Sequence, residues 1–275
     1  MTKINFLKMS AAGNDFVIID TRTNNYQFST KQIAKISARN NVGCDQFILL
    51  KHSTTADIFM EIYNADGSIS GACGNATRCV ASILMSEKLI EKINIETTSG
   101  ILQAWKEDGL ILVNMGLPKF GWSEIPLKEP KNTDNFLVGV ISGHIFTAVN
   151  IGNPHIVTFV DKNLSDDEFF CIAPQLEINS LFPQKTNVEF AQVLSSNHIT
   201  VRVWERGSGE TLACGSGACA VAVAAIKRGL VKREKIKISF KGGDLFIEWL
   251  EKGSVVMSGG YQKIFSGVFD EDFVS

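Results

Sequence analysis

Residues 58–75 read IFMEIYNADGSISGACGN, and residues 199–216 read ITVRVWERGSGETLACGS. Laid over one another without a gap, they keep a single offset of 141 residues (58 to 199, 73 to 214). Each opens on the alternation of a strand, passes through a polar, glycine-bearing turn, and ends in Ala-Cys-Gly where a helical pattern begins. The echo extends upstream. Gly13-Asn14 followed by VIID parallels Gly152-Asn153 followed by IVTFVD, and Gln46 before FILL parallels Asn187 before VEFAQV. Matches in one order at nearly one offset indicate two copies of a single architecture, and the period is too long for a solenoid.

The junction is expected in GLPKFGWSEIPLKEPKNTDN (116–135), which carries three prolines and no periodicity. The halves are therefore set at 1–117 and 118–262, with 263–275 packing back on the first. Within each half short strands dominate, among them FVIID (16–20), FILLK (47–51), INIETT (93–98), HIVTFV (155–160) and KIKISF (235–240). One helix stands out in each. SGACAVAVAAI (216–226) is small or apolar on every side, so it should be buried on every side. ATRCVASILMSEKLI (76–90) is its largely apolar counterpart. The economical fold is α/β, of the α+β kind: two pseudo-symmetric domains, each a curved mixed sheet or barrel wrapped around a central helix, with the active site in the cleft between them.

Composition bounds the function. Of the 275 residues 45% are hydrophobic and 20% charged, and the net charge is −2. That is a globular chain with core enough to fold without metal or disulfides. Basic residues are scattered, which argues against a nucleic-acid partner. No apolar run is long enough to cross a bilayer, and the N-terminus has no signal-peptide core. A cytoplasmic protein with reduced thiols is expected, its six cysteines showing no CxxC spacing.

Two of those thiols stand out. Cys73 and Cys214 each precede a glycine at the head of an inner helix, where unpaired N–H groups and the macrodipole should lower a thiol's pKa and attract an anion. If the halves face one another, two thiols flank one carbon. One thiolate removes a Cα proton, the helix N–H groups hold the carbanion, and the opposite thiol reprotonates it. No cofactor and no metal are demanded. A cysteine near a helix start is ordinarily a core residue, and that reading holds for Cys44, Cys79, Cys171 and Cys219. Asn14, Gln46, Asn64, Asn153 and Asn187 would singly be turn formers. Asn14 with Asn153, and Gln46 with Asn187, occupy matched positions and so read as ligand-facing. Glu205-Arg206 abuts the Cys214 turn, where Arg206 could grip a carboxylate. His155 follows Asn153-Pro154 and reads as a site residue.

GNDFVIID, NADGS before ACGN, GNPH and WERGSGETLACGSGACA together closely resemble the diaminopimelate epimerase family, through nearly the whole chain. The resemblance implies an isomerase without pyridoxal phosphate that interconverts LL- and meso-diaminopimelate for lysine and peptidoglycan. It implies Cys73 and Cys214 as acid/base thiols assisted by His155 and Glu205, and Gly74, Asn75, Gly215 and Ser216 as donors to the reacting carboxylate. Asn14 and Gln46 match substrate-binding positions. Asn64, Asn153, Asn187, Glu205 and Arg206 match the group holding the substrate's amino and carboxylate ends. The chain departs from the family pattern at Ala11, Ala12, Ala76 and Ser216, and at Phe265, where a tyrosine often joins a homodimer contact. A racemase for proline, hydroxyproline or glutamate is the nearest alternative. A thiol redox protein and a non-catalytic binding module are the others.

Overall fold

The repeated alternation becomes repeated strand topology. The structure, a computed structural model, describes residues 3–24, 26–141, 143–270 and 273. It divides into two compact units, Met1–Val113 with Gly259–Ser275, and Asn114–Ser258. The first unit opens with β1 (Lys3–Ala11) and β2 (Asn14–Asp20), an antiparallel hairpin. Its two-residue turn puts Ala12 and Gly13 at φ 50° and 84°, the left-handed backbone that such tight turns require. Helix α1 (Thr30–Ser37) starts in a capping box between Ser29 and Gln32. It leads to β3 (Gln46–Lys51), parallel to β2, and β4 (Ile58–Asn64), antiparallel to β3. After the short β5 (Ile69–Ser70), α2 (Gly74–Lys88) crosses to β6 (Lys92–Thr97), which lies parallel to β4 and pairs with β7 (Gly100–Glu107). Strand β8 (Leu110–Asn114) ends the run.

The second unit repeats this order. After β9 (Phe136–Leu137), strands β10 (Ile145–Asn150) and β11 (Pro154–Phe159) form the hairpin. Helix α3 (Asp166–Glu177), boxed by Ser165 and Glu168, leads to β12 (Asn187–Ser195), parallel to β11, and β13 (His198–Glu205), antiparallel to β12. Then come β14 (Gly209–Glu210), α4 (Gly215–Lys227), β15 (Ile236–Phe240) parallel to β13, and β16 (Gly243–Trp249). Strand β17 (Val255–Gly259) precedes β18 (Gln262–Asp270), which pairs with β1 in the first unit. The proline-bearing stretch is not a linker. Ile125 and Leu127 lie buried in the second unit's core, so the change of unit falls at 113/114, at the end of β8, rather than at 117/118.

The central strands β2, β3, β11 and β12 are covered on both faces over most of their length, which is why they are largely apolar. In the first unit Val17, Ile19, Phe47 and Leu49 pack with Ile33 and Ile36 of α1. In the second, Ile156, Val188 and Phe190 pack with Phe169 and Ala173 of α3. The alternate residues point the other way, toward the inner helix. Helix α4 packs against β10, β11, β12, β15 and β16, and from Gly215 to Ala225 only Ser216 is not fully enclosed. Helix α2 packs against β1, β6 and β7, and its last turn runs out to solvent. The outer helices α1 and α3 were not among the elements expected from sequence, because eight and twelve residues of mixed polarity give a weaker signal than the all-apolar α4.

Candidate active site

The same local device starts both inner helices. Cys73 (φ −146°, ψ 109°) and Cys214 (φ −130°, ψ 118°) are extended N-cap residues. Each sulfur accepts the N–H three residues on, from Ala76 at 3.4 Å and from Gly217 at 3.3 Å. A thiol is not a usual cap, and in both units it stands beside the first backbone donors of a helix, with Gly74 and Asn75, or Gly215 and Ser216, next to it. Cys44, Cys79 and Cys219 are buried, as their core reading requires. Cys171 is exposed, being on the outward side of α3, which corrects that reading for this residue.

At the start of α2 and at the ends of β2, β3 and β4 the first unit carries neutral amides. Asn75 Nδ2 donates to Asn14 Oδ1 at 2.6 Å, and Gln46 Nε2 donates to Asn64 Oδ1 at 3.4 Å. Asn64 in turn donates to Ser68 Oγ at 3.0 Å. Asn75 Oδ1 and Gln46 Oε1 are buried with no hydrogen-bond partner among the described residues, acceptors that a donor on a ligand could match. Behind Asn14 and Gln46 sits a clasp that sequence reasoning missed. The Asp15 N–H donates to Asp45 Oδ2 at 3.0 Å and the Asp45 N–H to Asp15 Oδ1 at 2.9 Å. Arg39 binds both carboxylates, and Lys8 Nζ lies 2.6 Å from Asp15. Burial by itself would raise the Asp15 pKa, but the Arg39 and Lys8 contacts override it and hold the carboxyl well below the usual carboxylate range. The clasp locks the ends of β2 and β3 that carry Asn14 and Gln46.

Around Cys214 the second unit gathers ionisable groups. His155 is fully buried, its Nδ1 2.6 Å from Glu189 Oε1 and its Nε2 2.8 Å from Asn153 Oδ1. Glu205 accepts a hydrogen bond from Thr211 Oγ1. Burial raises the Glu205 pKa, outweighing its bonds to Thr211 and Cys214 and the charge of His155, and the Glu189 charge adds to the rise. The expectation that the helix start lowers the thiol pKa is corrected at Cys214. There burial comes first and the charges of Glu205 and Glu189 second, and together they push the thiol well up. The Ser216 and Gly217 hydrogen bonds oppose this and lose. Asn187 is buried with its amide engaged internally: Nδ2 donates to Pro154 O at 2.8 Å, and Oδ1 accepts the Arg206 N–H at 2.9 Å. The exposed Arg206 side chain bonds Gln184 O at 3.2 Å.

Glu189 was absent from the residues singled out in the sequence. The available signal was its place two residues beyond Asn187 in an alternating strand, hence on the same face. Among the described residues no group of three or more His, Cys, Asp or Glu side chains is arranged to hold a metal ion. No helix among them is long and apolar enough to cross a membrane.

Chemically, each unit offers a sulfur beside helix N–H donors that could hold a carboxylate. The fold is shared with solved structures that bear different names. A phenazine biosynthesis protein of the PhzF family from Bacillus anthracis superposes with a TM-score of 0.69 at 18% identity, covering 98% of this chain and 100% of that one. A hydroxyproline epimerase from Agrobacterium vitis gives 0.69 at 13% identity, covering 99% and 94%. The chain belongs to the diaminopimelate epimerase family, whose model matches residues 6–121 and 147–264. Diaminopimelate epimerases of Acidiphilium cryptum and Caulobacter vibrioides are 45% and 41% identical to it, over 96% and 97% of both chains respectively.

Proposed function

We propose that the protein inverts one α-carbon of diaminopimelate, interconverting the LL and meso forms by a two-base thiol mechanism. The observation that carries the proposal is the duplicated N-cap cysteine, the same atom type in the same backbone geometry at the head of both inner helices. In this reading the reacting carboxylate lies over the helix N–H groups of Gly74-Asn75 and Gly215-Ser216. One sulfur removes the Cα proton as a thiolate. The developing negative charge is held by those fixed donors, and the other sulfur delivers a proton to the opposite face. Cys214 waits as the protonated partner, in keeping with its raised pKa, and Glu205 takes its proton when the reaction runs the other way. The two sulfurs exchange roles with direction, so they titrate as a coupled pair.

The buried acceptors on Asn75 and Gln46 are proposed to meet substrate donors, with Asn14 and Asn64 orienting them. Asn153, Asn187, Glu205 and Arg206 are proposed to line the second unit's share of the substrate site, and His155 to assist the thiols. Reduced thiols are needed throughout, so the working compartment is proposed to be the cytoplasm. A homodimer is proposed as the assembly, through a face that includes the exposed Ile264, Phe265 and Val268 of β18.

The test is incubation of the reduced protein with LL-diaminopimelate in heavy water. Deuterium should enter at Cα as the meso form appears, with proline, hydroxyproline and glutamate turned over far more slowly. Deuterium-free substrate after prolonged incubation would sink the proposal. Faster turnover of one of the other amino acids would reassign the substrate.

A further inference from the structure

Glu189 takes no part in the proton transfers proposed above, yet it is fully buried on the inner face of β12. A buried carboxylate is costly unless its oxygens are matched. Here Oε1 lies 2.6 Å from His155 Nδ1, while Oε2 meets no hydrogen-bond partner among the described residues. The fold itself does not require such a group. At the matching positions the first unit has Ile48 for Glu189 (48 to 189) and Phe16 for His155 (16 to 155), both fully buried hydrocarbon. The ladders agree, since Phe16 pairs with Gln46 as His155 pairs with Asn187, both in parallel register. Exchanging a buried polar pair with an unmatched acceptor for hydrocarbon of the same shape can be neutral or stabilising, so the pair is better explained by the site than by the core.

The head of α4 is shaped around the same carboxylate. A Cβ on Gly217 would stand 2.9 Å from Glu189 Oε1, closer than such atoms come, whereas the first unit carries Ala76 at the matching position (76 to 217). The other charged or titratable groups around the pair are Glu205 and the Cys214 thiol, both of which feel the Glu189 charge.

We propose that Glu189 is a positioning residue for the epimerisation. It shares a proton with His155 Nδ1 and so locks the ring, holding Nε2 2.8 Å from Asn153 Oδ1, to which it donates. The proposal rests on the epimerase reading for its role, though the pairing itself can be measured without turnover. The experiment compares wild type with Glu189→Gln, which keeps the size and removes the charge, by 15N NMR of the His155 imidazole and by steady-state kinetics on LL-diaminopimelate. In the wild type Nδ1 should resonate as a nitrogen bearing a shared proton. In the variant it should move to the position of a bare nitrogen accepting from the amide. Turnover should fall about 100-fold, the lower end of what a positioned proton-transfer group contributes, with KM changed by less than about threefold.

A bare Nδ1 in the wild type overturns the proposal, and that measurement decides alone if the variant does not fold. So does a folded variant whose kcat stays within about twofold of wild type, or one that loses activity with Nδ1 unmoved. Failure of the wild type to exchange the substrate's Cα hydrogen would instead remove the epimerase reading and leave the ring measurement standing.

Discussion

The heads of the two inner helices share a backbone and differ in what surrounds them. In the first unit Asn14 is bonded to Asn75, beside Cys73 in the chain, and Gln46 is bonded to Asn64. At Cys214 the amides matching Asn14 and Gln46 remain, as Asn153 and Asn187, but Glu205 stands where the first unit has Asn64, and the His155–Glu189 pair where it has Phe16 and Ile48. The duplicated scaffold thus kept the thiol and its helix donors in both copies and set the Glu205 and Glu189 carboxylates close to one of them. A symmetric fold can present two sulfurs alike. The lining then acts on the sulfur it surrounds, and at Cys214 burial and two carboxylates win over the helix start.

The sharpest way to break this comparison is to remove each sulfur in turn. Cys73→Ala and Cys214→Ala should each retain the native circular dichroism spectrum and each lose epimerisation by about 1,000-fold or more, since either face then lacks its proton carrier. Equal losses would show that the different linings serve one shared reaction. Next in size, Glu205→Gln should lower kcat by about 100-fold, whereas its counterpart Asn64→Ala should act mainly by raising KM, as loss of a binding contact does. Steady-state kinetics on both variants separates the two roles.

A third pair of variants reads packing in place of chemistry. Gly217→Ala should destabilise by about 1–3 kcal/mol, because the added methyl meets Glu189 Oε1 at 2.9 Å and Cys214 Cβ at 3.2 Å. Ala76→Gly at the matching place should cost only about 1 kcal/mol, the ordinary helix penalty. Urea unfolding measures both. The smallest effects are in the pH dependence of stability, and they have opposite signs in the two units. Asp15 has a depressed pKa, so its contribution is present above the unfolded value of about 3.9 and is lost as pH falls toward the folded one. Asp15→Asn should flatten the acid limb of the urea midpoint. Cys214 has a raised pKa, so stability is kept below the unfolded value of about 8.5 and declines as pH rises toward the folded one. Cys214→Ala should flatten the alkaline limb.

Much of this was legible before any coordinate. The inner strands, the apolar α4 and the Ala-Cys-Gly helix starts are written in periods of two and in local composition. The matched Asn14/Asn153 and Gln46/Asn187 positions follow from the offset alone. Asp15 and Asp45 were illegible because a clasp between segments 30 residues apart leaves no periodic trace. Glu189 was passed over because an acidic residue in an alternating strand ordinarily faces water, and only the inner helix turns that face into an interior. The thiol pKa at Cys214 was misjudged for the same reason: the helix start is a local feature, whereas the carboxylates opposing it arrive from two other strands.

By itself, then, the sequence determined that this is a duplicated α/β chain with a cysteine at the head of each inner helix, because strand alternation, helix apolarity and N-cap position are set within a few neighbouring residues. The tertiary structure alone decided that carboxylates close around Cys214. Proton affinity depends on burial and on charges a few ångströms away, and residues such as Glu189 and His155, 34 apart along the chain, become neighbours only when β11 and β12 pair.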